Sequence, residues 1–100
     1  MKNNLELNRV MKFVMVETEK GTLLWGDPSV KFHKDIVEKM KNEGVEIISI
    51  KGGAKIKIED KNIYVWDKSS VYGEVSFPEV LEILNKDFPG REVLNYEPAV

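Results

Sequence analysis

Short hydrophobic segments separated by turn residues recur along most of this chain. Six of them are rich in β-branched and large apolar residues, or alternate apolar with polar positions, which predicts β-strands. The predicted strands are Val10–Glu17, Thr22–Gly26, Val45–Ile50, Ala54–Glu59, Ile63–Asp67 and Glu92–Tyr96. The alternation is clearest in the fourth segment, where Ala54, Ile56 and Ile58 share one face and charged residues occupy the other.

Two further segments have apolar residues at helical spacing. The first helix is predicted from about His33 to Glu43, with Gly44 as its C-terminal stop. The second is predicted from the capping-box spacing of residues 76–79, with Pro78 in its first turn, to about Lys86. The residues expected to face the core are Ile36, Val37 and Met40 in the first helix and Val80, Leu81 and Leu84 in the second.

The predicted order of elements is β-β-α-β-β-β-α-β. A turn at residues 19–22 joins the first two strands into a hairpin, and Gly52-Gly53 is predicted to turn the chain between the third and fourth. This order predicts an α+β fold, with two helices packed on a six-stranded, mostly antiparallel or mixed sheet. Residues 1–9 are expected to be loosely ordered, and residues 10–100 are expected to form a single domain.

Composition narrows the classes of partner. The 100 residues carry a net charge of −2, and 42% are hydrophobic and 32% charged, as in ordinary globular domains. Basic residues are interleaved with acidic ones, so no nucleic-acid-binding stripe is expected. The first nine residues do not resemble a secretory signal, and no apolar run approaches the ~18 residues of a membrane span. We therefore expect a soluble cytoplasmic protein that binds neither nucleic acid nor membrane.

The chain contains no cysteine and a single histidine, His33. This excludes disulfides and thiolate nucleophiles and leaves too few ligands for the usual transition-metal sites, so we expect no metal and no cofactor. His33 is the only side chain whose ordinary pKa suits acid–base chemistry near neutral pH. It stands where a helix begins, beside N–H groups that are free to hold an anion. Two interpretations of His33 are open. It is either a histidine without a chemical role, exposed or packed against its neighbours, or a catalytic group beside a bound phosphate.

Two lysines are candidates for offsetting the charge of an anion. Lys12 is the lone charge among three valines on one face of the first predicted strand. It is either an edge-strand lysine that reaches water or a cation directed into a pocket. Lys55 lies on the polar face of its strand, and it is either solvated or a second cation of the same site.

The polar loop of residues 68–73, Lys-Ser-Ser-Val-Tyr-Gly, is the last candidate. Serine and glycine in such a loop usually serve only to turn the chain. A serine-rich loop can also present a hydroxyl and successive N–H groups to an oxyanion. The pattern alone leaves both interpretations open.

Taken together, these segments resemble the Janus/Ocnus family from about Val10 to Tyr96. The motifs that carry the resemblance are Lys12-Phe13-Val14, Phe32-His33-Lys34-Asp35-Ile36, Gly52-Gly53-Ala54-Lys55-Ile56, Ile63-Tyr64-Val65-Trp66, Ser69-Ser70-Val71-Tyr72-Gly73 and Phe88-Pro89-Gly90-Arg91-Glu92-Val93. The resemblance rests on their order and spacing rather than on any one motif. It implies a metal-free phosphatase that acts on phosphoramidate bonds, chiefly phosphohistidine in proteins.

The resemblance also implies roles for individual residues. The family's catalytic histidine falls on His33. The family's phosphate site falls on two backbone N–H groups at the helix start and on the serine loop, with the Ser69 hydroxyl as side-chain donor. The residues thereby expected to bind phosphate are Lys12, Lys34, Lys55, Ser69, Ser70 and Val71.

Three positions depart from the family's pattern. Lys55 stands where the vertebrate enzymes carry arginine, which keeps the charge but loses the bidentate fork. The loop reads Ser-Ser-Val rather than the Ser-Met-Ala common in animals, and Asp67-Lys68 replaces a Gly-aromatic pair. These departures concern the substrate-facing rim more than the catalytic geometry.

The expected activity is hydrolysis of the P–N bond of phosphohistidine-containing proteins, with His33 as general base or nucleophile. The alternative is a non-catalytic module that binds phosphoprotein or another anion through the same pocket. A third hypothesis is a small interaction domain without an anion site.

Overall fold

The computed structural model describes residues 3–99 and contains, in that range, five strands and two helices. The strands are β1 (Met11–Thr18), β2 (Gly21–Asp27), β3 (Ser49–Ile58), β4 (Asn62–Trp66) and β5 (Glu92–Leu94), and the helices are α1 (His33–Asn42) and α2 (Phe77–Asp87). They form one sheet in the order β2-β1-β3-β4-β5, in which only the β4–β5 pair is parallel. The α+β class, the mixed sheet and the first hairpin are therefore confirmed.

The prediction of six strands is wrong, because the glycine pair does not turn the chain. Residues 49–58 form the single strand β3, with Gly52 and Gly53 inside it. Val14 of β1 pairs with Gly53, and Val16 pairs with Ile50. Between these two pairs β3 therefore has one residue more than β1. Gly52 has a φ of +128°, and this β-bulge absorbs the glycine without reversing the strand.

The two helices pack on opposite faces of the sheet, because successive strand residues point to alternate sides. In β1, Phe13 and Met15 join the core that α2 covers, while Val14 and Val16 join the core that α1 covers. The α2 side includes Met11, Leu24, Ala54, Ile56, Ile58, Ile63, Val65, Val80 and Leu84, and the α1 side includes Leu23, Ile36, Val37, Met40 and Val45. Lys12 and Lys55 follow the same alternation, which places them on the α1 face.

The second helix departs from its prediction in two details. Ser76 occupies the N-cap position, but its side chain makes no capping hydrogen bond. Leu81 is only partly buried, so the predicted inward face is confirmed for Val80 and Leu84. Neither helix within residues 3–99 is long and apolar enough to cross a bilayer.

The segment before β1 lies against the sheet. The side-chain amide of Asn4 exchanges two hydrogen bonds with the backbone of Gly26, at 2.8 and 2.7 Å. The Asn8 N–H donates to the Ile58 carbonyl at 2.7 Å. Two predictions include residues outside the described range: that residues 1–9 are loosely ordered, and that the single domain runs to residue 100.

A Gly52→Ala substitution tests the bulge. Its Cβ would collide with the Glu74 carbonyl and approach the Val75 nitrogen within 2.9 Å, besides occupying a φ of +128°. We expect it to lower the free energy of unfolding by about 3 kcal/mol, measured by urea denaturation. Gly44→Ala is the matched control, because its φ is +85° but its Cβ would meet open space; it should cost about 1 kcal/mol. Equal losses in the two variants would contradict a close contact at Gly52.

Candidate functional site

A cleft of about 310 Å³ opens where the N-terminus of α1 meets the loop between β4 and α2. It is lined by Lys12, Lys31, Phe32, His33, Lys34, Lys68, Ser69, Ser70 and Val71. Four of these nine residues are lysines and none is acidic, although the whole chain has a net charge of −2. The local charge therefore favours an anion where the overall charge does not.

The first turn of α1 supplies backbone donors to this cleft. Phe32 holds the N-cap position in an extended conformation and contributes no capping side chain. The Asp35 N–H donates to the Phe32 carbonyl at 3.1 Å, whereas the N–H groups of His33 and Lys34 have no hydrogen-bond partner within residues 3–99. Two unpaired donors thus stand at the positive end of the helix dipole.

The His33 ring is buried, with 7% of the residue exposed, and it is anchored on the sheet. Its Nε2–H donates to the Ala54 carbonyl at 3.0 Å, and because a carbonyl only accepts, this bond fixes the tautomer of the neutral ring. Nδ1 then carries the free lone pair. Nδ1 has no hydrogen-bond partner among the described residues. Every fully buried side-chain nitrogen or oxygen in that range does have a partner, so Nδ1 is not fully buried. Because His33 lines the cleft, Nδ1 is accessible from there.

Gly53 is what allows the ring to reach β3. A Cβ at this position would lie 2.6 Å from His33 Cδ2 and 3.0 Å from the Ser69 Cβ. The Gly53 N–H donates to the Gly73 carbonyl at 3.1 Å, and its own carbonyl accepts from the Ser69 N–H at 2.9 Å. One residue therefore joins the histidine to the serine loop. The predicted turn at Gly52-Gly53 does not account for this contact, although a glycine inside an alternating strand is itself a signal of close approach.

The Ser69 hydroxyl organises the loop from inside. Ser69 is 2% exposed, and its Oγ accepts hydrogen bonds from the N–H groups of Val71 at 3.2 Å and Tyr72 at 3.0 Å. A hydroxyl with two accepted bonds still has one hydrogen to donate. The Val71 N–H, which the resemblance implies is a phosphate donor, is thus bonded to Ser69 in this structure. Ser70 and Val71 are exposed at the edge of the cleft.

Lys12 and Lys55 are direct neighbours across β1 and β3. Lys12 lines the cleft, but Lys55 does not, and the Lys55 Nζ lies 3.3 Å from the Asp67 carboxylate. Asp67 has a φ of +68°, in the left-handed region that glycine adopts most easily. The cleft therefore brings together six of the seven predicted site residues and leaves Lys55 beside it, paired with an acid.

Three residues that line the cleft were not predicted. They are Lys31, Phe32 and Lys68. The Nζ atoms of Lys31 and Lys34 lie 5.5 and 5.6 Å from the centre of the Phe32 ring, within cation–π range. The lysines on both sides of Phe32 are visible in the sequence as a signal, but only the fold shows that Lys68 joins them.

The surroundings of His33 keep its imidazole neutral. Burial lowers the pKa of His33 below the ordinary 6.5. The hydrogen bond to Ala54 and the charge of Asp67 oppose this lowering, while Lys12 and Lys55 add to it. At neutral pH the ring is therefore an unprotonated base with its lone pair on Nδ1.

Two other features of the described residues concern alternative sites. Across residues 3–99, no group of three or more His, Cys, Asp or Glu side chains is placed to hold a metal ion. A larger groove of about 600 Å³ lies between β2 and the end of α2, and it contains none of the predicted site residues. Six of the seven predicted site residues lie together in the cleft at His33.

Comparison with known proteins gives one finding. The sequence model of the Janus/Ocnus family matches residues 4–92, a range that contains every residue of the cleft. No curated protein matches the chain.

The lowered pKa of His33 predicts a pH dependence of stability. Because the unfolded chain binds this proton more readily, the free energy of unfolding should fall as the pH drops from about 6.5 towards the lower folded-state pKa, and be unaffected by this group above 6.5. His33→Gln removes the titration and can keep a donor for Ala54. We expect the variant to lose less stability than the wild type between pH 7.5 and 5.5 in urea unfolding. The same loss in both proteins would contradict a buried neutral His33.

Proposed function

The chain belongs to the Janus/Ocnus family, and from this premise we propose that it is a metal-independent phosphatase of phosphohistidine in proteins. The observation that carries the proposal is a neutral histidine of fixed tautomer beside two unpaired helix N–H groups in a cleft of four lysines. The resemblance of the motifs to protein phosphohistidine phosphatase supports the same reaction. We propose a phosphoramidate P–N bond as the bond that is cleaved.

In the proposed complex the phosphoryl group lies at the start of α1. Its oxygens accept hydrogen bonds from the N–H groups of His33 and Lys34 and from the Ser69 hydroxyl, with Ser70 and Val71 closing the loop side. Lys12 offsets the phosphoryl charge from the sheet side. These interactions suit phosphoryl transfer, in which enzymes act mainly by positioning the group and stabilising its charge.

Nδ1 of His33 has two possible tasks in this arrangement. As a general base it takes a proton from water while the water oxygen attacks phosphorus. The P–N bond breaks, its electron pair returns to the substrate nitrogen, and the substrate imidazole, which carries a proton on its other ring nitrogen, leaves as the neutral ring. As a nucleophile Nδ1 attacks phosphorus itself while the P–N bond to the substrate imidazole breaks and that imidazole leaves. Water then cleaves the new P–N bond of phospho-His33 and releases phosphate. Both routes need the unprotonated ring that burial favours. Trapping of a ³²P-labelled His33 would exclude the pure general-base route.

A second candidate function is phosphoprotein binding without turnover. Two observations favour it: the Val71 N–H is already bonded to Ser69, and the charge of Lys55 is already opposed by Asp67. Both lower the number of groups free to stabilise a transition state. Saturable binding of phosphate with no hydrolysis of phosphohistidine or phosphoramidate by the wild type would favour this module over the enzyme.

The enzyme proposal predicts distinct effects for two substitutions. His33→Ala should reduce hydrolysis of phosphohistidine to background, while Lys12→Ala should mainly raise KM, because its charge serves ground-state binding of phosphate. Initial rates with free phosphohistidine give both parameters. Lys61→Ala, in the exposed β3–β4 turn, is the control for a lysine outside the cleft and should behave as wild type. Full activity in folded His33→Ala would disprove the assignment.

A further inference from the structure

The rim of the cleft carries large apolar side chains that the fold does not cover. Phe32 is 49% exposed and Val71 is 62% exposed, and they lie on the helix side and the loop side of the same opening. A phosphate ion or a small phosphoramidate makes no use of such surface. A protein substrate that extends past the phosphorylated residue would contact both side chains.

The four lysines that line the cleft form no ion pairs within residues 3–99. Lys39, Lys51, Lys55 and Lys57 each form an ion pair with a carboxylate. In contrast, none of the four cleft lysines has an acidic partner among residues 3–99: these are Lys12, Lys31, Lys34 and Lys68. These four are half of the eight lysines of residues 3–99 that form no ion pair; the other four, Lys20, Lys41, Lys61 and Lys86, lie outside the cleft.

More positive charge is present than one phosphoryl group uses. Lys12 lies on the sheet side, where the phosphoryl group is proposed to bind. Lys31 and Lys34 hold their ammonium groups over the Phe32 ring, and Lys68 stands on the opposite side in the serine loop. Carboxylates on either side of a phosphorylated residue would therefore meet cations on both sides of the cleft.

We infer that this rim docks a protein segment in which acidic residues flank the phosphohistidine. The inference rests on the proposed function and names the substrate class of that site. The flanking carboxylates pair with Lys31 and Lys68, and an apolar side chain of the substrate covers Phe32. Because these pairs are exposed, they act mainly on association with the substrate and weaken as salt is added.

Three phosphohistidine peptides test the inference, with aspartates, asparagines or lysines on both sides of the phosphorylated residue. For the wild type at low ionic strength we expect kcat/KM to be roughly fivefold to tenfold higher for the aspartate peptide than for the asparagine peptide. The lysine peptide should be the poorest substrate. The aspartate preference should shrink towards twofold or less at about 0.5 M salt.

Charge reversal at the rim identifies the residues responsible. The double variant Lys31→Glu with Lys68→Glu should lose the preference for aspartates, and its kcat/KM should fall more for the aspartate peptide than for phosphoramidate. The control Lys41→Glu with Lys61→Glu changes the net charge equally on exposed residues outside the cleft, and it should keep the preference. Phe32→Ala should lower kcat/KM for the peptides but not for phosphoramidate.

Several results would overturn the inference. The first is an equal kcat/KM of the wild type for the aspartate and asparagine peptides. The second is a loss of phosphoramidate hydrolysis in the Lys31→Glu, Lys68→Glu variant as large as its loss on the aspartate peptide. The third is the same loss of aspartate preference in the control variant Lys41→Glu, Lys61→Glu. If the wild type hydrolyses no phosphoramidate at all, the proposed function has failed, and binding of the peptides is measured instead from amide shifts of Lys31 and Lys68. Tighter binding of the aspartate peptide then supports the docking surface alone, and equal binding rejects it.

Discussion

The hydrogen bond from His33 Nε2–H to the Ala54 carbonyl is the interaction on which the site depends. It ties the start of α1 to β3, fixes the tautomer and leaves the Nδ1 lone pair accessible from the cleft. The bond forms because Gly53 has no side chain to hold the ring away from the strand. The burial that comes with it lowers the pKa of His33 and so keeps the ring a base at neutral pH. Geometry and protonation state thus have one structural origin.

The site also uses the backbone N–H groups of His33 and Lys34, which have no hydrogen-bond partner within residues 3–99. A serine, threonine or aspartate at the N-cap would pair one of these N–H groups and typically stabilises a protein by about 1 kcal/mol. This chain has Phe32 there and forgoes that contribution. The helix is held by other contacts instead: its apolar face is buried against the sheet, and Lys39 pairs with Asp27 at 2.7 Å.

The ion pair with Lys39 also affects the pKa of Asp27. Burial raises the pKa, but hydrogen bonds from Lys39 and Ser29 outweigh burial and lower it to about 2. The Asp27 carboxylate therefore stays charged between pH 5.5 and 7.5, the range of the stability measurement on His33→Gln. Asp27 itself consequently adds no pH dependence to the free energy of unfolding over that range.

Much of the fold follows from periodicity, since alternation in β1 and β3 and helical spacing in α1 reflect burial directly. The sixth strand was wrong because a glycine pair has the same sequence signature in a turn and in a bulge, and only pairing with β1 decides between them. Lys12 was predictable as a candidate because it is the lone charge among valines, and His33 because it is the single histidine and stands where a helix begins. Lys31 and Lys68 were not assigned to the site, because the resemblance brings the serine loop to the start of α1 but does not show which lysine side chains line the opening. Nor did it show that Asp67 would pair with Lys55.

The most direct test of the central claim is a titration of the ¹⁵N-labelled protein with inorganic phosphate, followed by NMR. A phosphate held at the start of α1 should shift the amide signals of His33 and Lys34 saturably. It should also raise the pKa of His33, because a nearby anion stabilises the imidazolium form. Unchanged His33 and Lys34 amides, or shifts confined to the groove between β2 and α2, would contradict an anion site built on His33.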